Sequence, residues 1–184
     1  RELGLTPDIT VPEPNTWRDV LTTLADELDV SGKNVAVQEY GIPNEEFVEE
    51  LRKRGAYVTA VPVYKWDLPE DTKPLREAIK SITAMNEDIS LFTSSQQIYN
   101  LFKIASEEGL EDRLKEGFKD VVIGSIGPTT TEAITRFGLT ADYEPDSPKM
   151  GNLIREMARS GSELLRKKRT AHKNGVDTNS WRRV

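Results

Sequence analysis

The chain has 184 residues and a formal net charge of −6, with 30% charged and 36% hydrophobic residues, enough for one large or two small globular domains. It has no cysteine and one histidine, His172, which argues against disulfides, thiolate metal sites, a cysteine nucleophile and a Ser-His-Asp triad. No apolar run approaches the ~18 residues of a membrane helix and no signal-peptide pattern opens the chain, so we expect a cytoplasmic protein without a membrane span.

Apolar stripes at helical spacing alternate with short β-branched runs along the chain. In chain order, the first helical stripe is Trp17, Val20, Leu21, Leu24 and Leu28, and it is followed by predicted strands at Val35–Tyr40, Tyr57–Trp66 and Ile89–Thr93. A second helical stripe follows, formed by Ile98, Leu101, Phe102 and Ala105. The last predicted strand is Val121–Ile126, and the last helical stripe is Met150, Leu153, Ile154 and Met157. Such alternation is typical of α/β folds with parallel sheets flanked by helices. We interpret the stripes as core.

Three polar junctions follow predicted strands: QEYGIPN (38–44), FTSSQQ (92–97) and SIGPTTTE (125–132). Helix capping is one interpretation, with Ser94 and Ser95 at a helix start, and Thr129 and Glu132 spaced as a capping box. The other is an anion-binding edge, because hydroxyls and free amides at helix starts attract negative charge. Ligands of parallel α/β sheets bind where strands lead into helices.

Two single residues extend the list of candidates. Lys149 precedes the last predicted helix, and either adds positive charge to such a site or is a solvated surface lysine. Tyr64 comes late in the long strand, where its hydroxyl either faces a cleft or packs on the sheet. The chain has no P-loop, dinucleotide-binding or G-x-S-x-G motif.

The end of the chain is basic. Residues 161–184 carry seven Lys/Arg against two Asp/Glu, including the run RKKR at 166–169. Such a run is compatible with a nucleic-acid contact, but the pattern favours a frayed, solvated end after the last helix.

An internal echo also stands out. GLTPDITVPEP (4–14) is similar to GLTADYEPDSP (138–148), and a helical stripe follows each copy. Two related α/β lobes would produce it, as would chance. The second copy is preceded by a strand, a Gly-Pro-Thr turn and a helix, and the first copy has none of these. If the echo is real, we therefore expect an amino-terminal segment to be missing from this sequence.

Three stretches together, GAYVTAVPVYKW, FTSSQQIYNLF and SIGPTTTEAITRFGLTADYEPDSPKMGNLI, resemble the uroporphyrinogen-III synthase family. The resemblance runs from about residue 3 to residue 157. It implies two flavodoxin-like lobes joined by a two-stranded linker, with the active site between them. On that template residues 1–62 are the later part of the inserted lobe, 63–66 the returning linker strand, 67–160 most of the terminal lobe, and 161–184 a basic tail outside the match.

The resemblance implies that hydroxymethylbilane, a linear tetrapyrrole with eight carboxylates, is cyclised with loss of water and inversion of the last ring. It implies no cofactor, and we expect a monomer. Tyr64 matches the family's tyrosine and is the candidate general acid. The implied substrate-binding residues are Tyr40, Gly41, Thr93, Ser94, Ser95, Gly127, Pro128, Thr129, Thr130, Lys149 and Met150.

One departure from the family bears on activity. The family has a preceding segment that supplies the first strand of the terminal lobe and the opening half of the inserted lobe. Its absence from this sequence would leave a sheet edge unpaired, whether the chain is a fragment or a degenerate relative. A non-catalytic tetrapyrrole-binding or regulatory domain of the same fold is the alternative function.

Overall fold

The computed structural model describes residues 4, 6–41, 43–64 and 67–175, with the side chains of Tyr40 and Tyr64 outside the description. The chain divides into two compact units, Arg1–Asp67 and Leu68–Val184. The first contains α1 (Trp17–Glu27), β1 (Asn34–Tyr40), α2 (Glu45–Lys53) and β2 (Tyr57–Tyr64). The second contains α3 (Lys73–Thr83), β3 (Ile89–Phe92), α4 (Ser95–Glu107), α5 (Glu111–Gly117), β4 (Val122–Ser125), α6 (Pro128–Arg136) and α7 (Met150–Lys173).

The first unit is a two-stranded parallel sheet with helices on one face. β1 and β2 pair in parallel, with Val35 opposite Val58. The core beneath them combines residues of both helices and both strands: Leu21, Val30, Leu51 and Ala56, with Trp17, Leu24, Val35, Val37, Phe47 and Val58 packed around them. α1 begins at a capping box in which Thr16 and Asp19 satisfy each other's backbone amides.

The second unit contains the larger core. β3 and β4 pair in parallel, with Ile89 opposite Val122 and Phe92 opposite Ser125. On the other edge of β4, Tyr143 forms a single parallel bridge with Gly124. Every residue of β4 is buried, as expected for the central strand of a parallel sheet. The predicted alternation of parallel strands and helices is therefore confirmed in both units.

The prediction of a frayed end after residue 160 is wrong for residues 161–173, which continue α7. Lys168 is buried, and its ammonium group donates to a carboxylate oxygen of Asp142 at 2.6 Å and to the carbonyl oxygen of Val121 at 2.7 Å. The helix continues because this pair and the buried Ala171 hold it against β4. The last nine residues lie outside the described part of the chain.

Three predicted stripe residues are not core. Met150 and Ile154 are exposed because α7 turns Leu153 and Met157 towards the sheet instead. Leu28 is exposed as well, since α1 ends one residue before it. Trp66, the predicted end of the second strand, lies outside the described residues.

The echo is matched at its first residue. Gly4 and Gly138 both have positive φ, 66° and 75°, a conformation that favours glycine. The aspartates at equivalent positions of the echo differ in burial: Asp8 is exposed, whereas Asp142 is buried. The assignment of residues 1–62, 63–66 and 67–160 to two lobes and a linker stays a prediction.

Within the described ranges, no helix is long and apolar enough to cross a membrane.

Candidate functional site

The carboxyl ends of β3 and β4 bring two of the predicted junctions together. The strands are adjacent and parallel, so Phe92 and Ser125 are neighbours at the same edge. The amide of Ile126 donates to the carbonyl of Phe92 at 2.9 Å, which extends the pairing into the turns. The Thr93–Ser95 and Gly127–Thr130 stretches therefore lie side by side, each leading into a helix.

The first turn is closed by its own side chains. Ser94 is the N-cap of α4, and its hydroxyl accepts from the amide of Gln96 at 3.1 Å. The side chain of Gln97 reaches back and accepts from the amide of Thr93 at 2.8 Å. The capping role predicted for Ser94 is thus confirmed, while Ser95 is the first residue of the helix.

The capping box predicted for Thr129 and Glu132 is not formed at the second turn, so that prediction is wrong. α6 begins at Pro128, its N-cap is Gly127, and no side chain caps it. Proline fits the first helical position because its missing amide proton would have no acceptor there. Thr129 therefore lies inside the first turn, where its hydroxyl cannot take the place of an N-cap side chain.

Ser125 shapes this second turn and was not singled out from the sequence. It is fully buried, its hydroxyl donates to the carbonyl of Gly127 at 3.0 Å, and the Gly127 amide donates back to it at 3.3 Å. Its own amide donates to the carbonyl of Tyr143 at 2.9 Å. The sequence gives no signal that this serine shapes the turn, because its two hydrogen-bond partners, the amide and the carbonyl of Gly127, are positioned by the turn itself.

The turns leave polar groups available for a ligand. Among the described residues, the hydroxyls of Ser95 and Thr129 have no hydrogen-bond partner, and Thr129 is exposed. Thr130 is buried, and its amide donates to the carbonyl of Gly127 at 3.0 Å. Thr129 is thus the more accessible of the two predicted threonines. Thr131, which was not predicted, is hydrogen-bonded to Glu144.

The start of α7 joins the same edge. A methyl group built on Gly127 would come within 2.9 Å of the Pro148 side chain, so only glycine allows this approach. Lys149 is the N-cap of α7 and is exposed, and no described residue forms an ion pair with it. Met150 follows, and 55% of it is exposed. A cation and an apolar side chain therefore adjoin the two polar turns.

The remaining predicted residues meet in the first unit. Tyr40 and Tyr64 are register partners at the carboxyl ends of β1 and β2. Gly41 follows with φ of 89°, a conformation that glycine readily adopts. The two tyrosine side chains lie outside the description, so the proton-donating role of Tyr64 stays a prediction.

Tyr143 adds an unforeseen titratable group beside β4. Burial raises the pKa of its hydroxyl above its ordinary value, and the nearby carboxylates of Glu156 and Asp146 raise this pKa further. The phenol therefore stays protonated at neutral pH. Within the described residues no cluster of three His, Cys, Asp or Glu side chains could hold a metal ion.

Together, these groups suit an anionic ligand. The hydroxyls of Ser95 and Thr129 and the amino-terminal ends of α4 and α6 lie at one sheet edge, where the helix dipoles favour negative charge. Lys149 adds one full positive charge. The predicted residues of the second unit are thus brought together at one sheet edge.

The fold is that of an α/β protein with parallel sheets flanked by helices, carrying a polar edge that suits carboxylates. Residues 1–155 match the sequence profile of the family described as uroporphyrinogen-III synthase HemD. The chain belongs to this family, which the resemblance of its turns predicted.

Two individual relatives match most of this chain. The chain is 34% identical over 162 residues to a Methanothermobacter thermautotrophicus protein provisionally named a uroporphyrinogen-III synthase, covering 88% of this chain and 62% of the relative. It is 28% identical over 160 residues to the uncharacterised Bacillus subtilis protein YjjA, covering 86% of this chain and 58% of the relative.

Solved structures show the same fold. A mutant uroporphyrinogen III synthase from Thermus thermophilus matches with a TM-score of 0.59 at 23% identity, over 90% of this chain and 60% of that one. The wild-type enzyme matches with a TM-score of 0.51 at 22% identity, over 91% and 60% of the two chains. The chain thus spans about three-fifths of the length of the proteins it matches.

Proposed function

We propose that this chain carries part of the substrate-binding site of a uroporphyrinogen-III synthase, which cyclises hydroxymethylbilane with inversion of the last ring and loss of water. The observation that carries the proposal is the juxtaposition of the Thr93–Ser95 turn, the Gly127–Thr130 turn and Lys149 at one sheet edge. Family membership supplies the reaction class.

The proposed ligand chemistry follows from charge. The substrate carries several carboxylates, and the sheet edge offers the hydroxyls of Ser95 and Thr129, two helix amino termini and one ammonium group. Neutral donors hold a carboxylate without a cluster of arginines, which suits a chain whose net charge is −6. The exposed Met150 side chain is suited to contact with a pyrrole ring beside its carboxylate arms.

The proposed catalysis is mainly positioning. A flexible tetrapyrrole can close with or without inversion of its last ring, and binding groups that fix its ends select one closure. Loss of the leaving hydroxyl needs a proton, and Tyr64 is the proposed donor. Its backbone lies beside Tyr40 at the carboxyl edge of the first sheet.

We further propose that the two units belong to two flavodoxin-like lobes of the family's architecture, with residues 63–66 as a linker strand between residues 1–62 and 67–160. The parallel pairing of β1 with β2 and of β3 with β4 supports this assignment. No cofactor is proposed.

Binding tests the ligand assignment. Uroporphyrinogen III is titrated into the 184-residue chain, and we expect Thr129→Val and Lys149→Gln each to weaken binding by about three- to tenfold, since each removes one polar contact. Thr135→Val is the matched control, because Thr135 is an exposed threonine of the same helix whose hydroxyl bonds only to the carbonyl of Thr131. Equal losses in all three variants would contradict the assignment.

Turnover separates the two candidate functions. The chain is incubated with hydroxymethylbilane and the products are separated by isomer. We expect type III product above the spontaneous type I background, and less of it in Thr129→Val. Tight binding with only type I product would show that this chain by itself binds without catalysing the reaction, as the alternative of a non-catalytic tetrapyrrole-binding domain predicts.

A further inference from the structure

The outer side of α7 carries a line of four exposed cations: Arg155, Arg159, Arg166 and Lys173. Each residue of an α-helix advances by about 100°, so these four positions lie within about 40° of one another around the helix. With a rise of about 1.5 Å per residue, they extend over about 27 Å. These four residues, the α7 ridge, lie opposite the side that the helix buries against the sheet.

The α7 ridge is cationic in a chain that is otherwise acidic. Helix α7 has seven Lys/Arg against two Asp/Glu, a net charge of +5, whereas the whole chain carries −6. The residues outside α7 therefore sum to −11. Among the described residues, neither Arg155 nor Lys173 has an ion-pair partner. Positive charge gathered on one side of a helix favours contact with a polyanion.

The other two cations of the ridge are weakly held. Arg159 pairs with Glu156 at 3.2 Å, and Arg166 pairs with Glu163 at 2.8 Å. The two arginine side chains are 73% and 68% exposed. Ion pairs in water contribute little to stability, so a phosphate group can replace either carboxylate at small cost.

The side chains around the cations restrict the kind of polyanion. Ser162 and Thr170 lie on the same side of α7, and both are exposed. The exposed Ile154 lies about 100° round the helix from Arg155, away from the ridge. Insertion into a membrane and a tight protein contact both need apolar anchors, which the ridge does not offer. Phosphate oxygens, in contrast, are contacted by Arg, Lys, Ser and Thr side chains.

The length of the ridge favours a duplex. Double-stranded DNA presents about one negative charge per 1.7 Å of its axis, so several phosphates face a ridge of about 27 Å. Single strands bind by stacking on aromatic side chains, and α7 contains no Phe, Trp or Tyr. We propose that the α7 ridge binds the phosphate backbone of a double-stranded nucleic acid. Three of its four cations follow the residues 1–155 that match the family profile, so this inference does not depend on the proposed activity.

Salt dependence tests the proposal. A fluorescently labelled DNA duplex of about 20 base pairs and mixed sequence is titrated with the 184-residue chain, and anisotropy is followed from about 25 to 200 mM salt. Four neutralised phosphates predict a slope of log K against log salt of about −3.6, hence about a hundredfold loss of affinity between about 50 and 200 mM. Absence of binding at the lowest salt would overturn the proposal.

Substitutions locate the contact. Arg155→Gln and Lys173→Gln should each make the slope shallower by about one, and the double variant by about two, because each removes one phosphate contact. Arg113→Gln is the matched control, since Arg113 is an exposed arginine of α5 and its loss changes the net charge equally. Equal effects of all three single variants would contradict a contact at the ridge.

Two further outcomes would assign the charge to another partner or segment. Arg182 and Arg183 lie outside the described residues, and their joint substitution by Gln should leave the slope unchanged. A slope that depends on these two residues would overturn the proposal in favour of the chain end. Binding of phosphatidylserine-containing vesicles without binding of the duplex would overturn it in favour of a membrane surface.

Discussion

At the scale of single residues, Lys168 and Asp142 form a buried ion pair, with the two side chains 4% and 0% exposed. Asp142 also accepts from the amide of Ile123 at 2.7 Å. Removing one partner of such a pair leaves a buried charge without compensation, which costs much more than an exposed pair contributes.

We predict that Asp142→Ala destabilises the second unit by about 3–5 kcal/mol, because Lys168 then loses its counter-charge in the interior. Native-state hydrogen exchange of α4 and β4 amides measures the change. Asp142→Leu combined with Lys168→Met should recover much of the loss, since no buried charge remains. Glu163→Gln, at an exposed pair with Arg166, is the control and should leave exchange unchanged.

Asp19 gives the first unit a predicted pH dependence. Hydrogen bonds from the side chain and backbone of Thr16 hold the pKa of this carboxyl below its ordinary range. A carboxyl whose folded pKa is depressed contributes stability above its unfolded pKa, and this contribution is lost as the pH falls through the folded pKa.

Asp19→Asn should therefore weaken the pH dependence of the free energy of unfolding of the first unit below about pH 4, where the wild-type carboxylate becomes protonated. Urea midpoints measured between neutral pH and pH 2, with a probe in α1, provide the comparison. An unchanged acid slope in Asp19→Asn would show that the capping box does not control it.

At the scale of elements, two buried glycines set how closely helices pack. A methyl group on Gly117 would lie 2.6 Å from the backbone carbonyl oxygen of Ile82, which cannot move without displacing α3. On Gly161 it would lie 2.6 Å from the terminal methyl of Ile89, which can rotate away. The two distances are equal, but the side chain of Ile89 can move more easily than the backbone of Ile82.

Gly117→Ala should accordingly destabilise the second unit by about 1–3 kcal/mol through overpacking. Gly161→Ala should stay within about 1 kcal/mol of the wild type, because the better helix propensity of alanine offsets the shift of Ile89. Thermal unfolding of the two variants makes the comparison. Equal destabilisation would show that Ile89 is as fixed as the backbone.

At the scale of the whole molecule, the end of α7 belongs to the fold. Arg169 pairs with Asp88 at 2.9 Å, and His172 lies 3.1 Å from a carboxylate oxygen of Asp120. In the run RKKR, Lys168 is buried and Arg166 is paired with Glu163. Lys168 is therefore part of the interior, whereas Arg166 and Lys167 stay at the surface and share the carboxylate of Glu163.

We therefore predict that the second unit no longer unfolds cooperatively after truncation at residue 160, because the truncation removes Lys168 and leaves Asp142 buried and unpaired. Calorimetry and binding of a hydrophobic dye compare the truncated chain with the full chain. A sharp transition in the truncated chain would support a dispensable tail instead.

Sequence pattern predicted most elements and one of the two caps, because apolar periodicity and local hydrogen bonding act over a few residues. Ser94 caps α4 as its position indicates. Thr129 does not cap α6, because Pro128 and the approach of Pro148 to Gly127 fix the start of that helix. Pro148 is 21 residues away along the chain, beyond the reach of a local rule.

The sequence by itself determined the alternation of strands and helices, the family and the polar turns, because each is written in short motifs such as Thr-Ser-Ser and Gly-Pro-Thr-Thr. Only the tertiary structure decided which of those turns meet, that Lys168 is buried against Asp142, and that Met150 and Ile154 are exposed. The reason is physical: burial and pairing depend on residues distant in sequence, whose approach is set by packing.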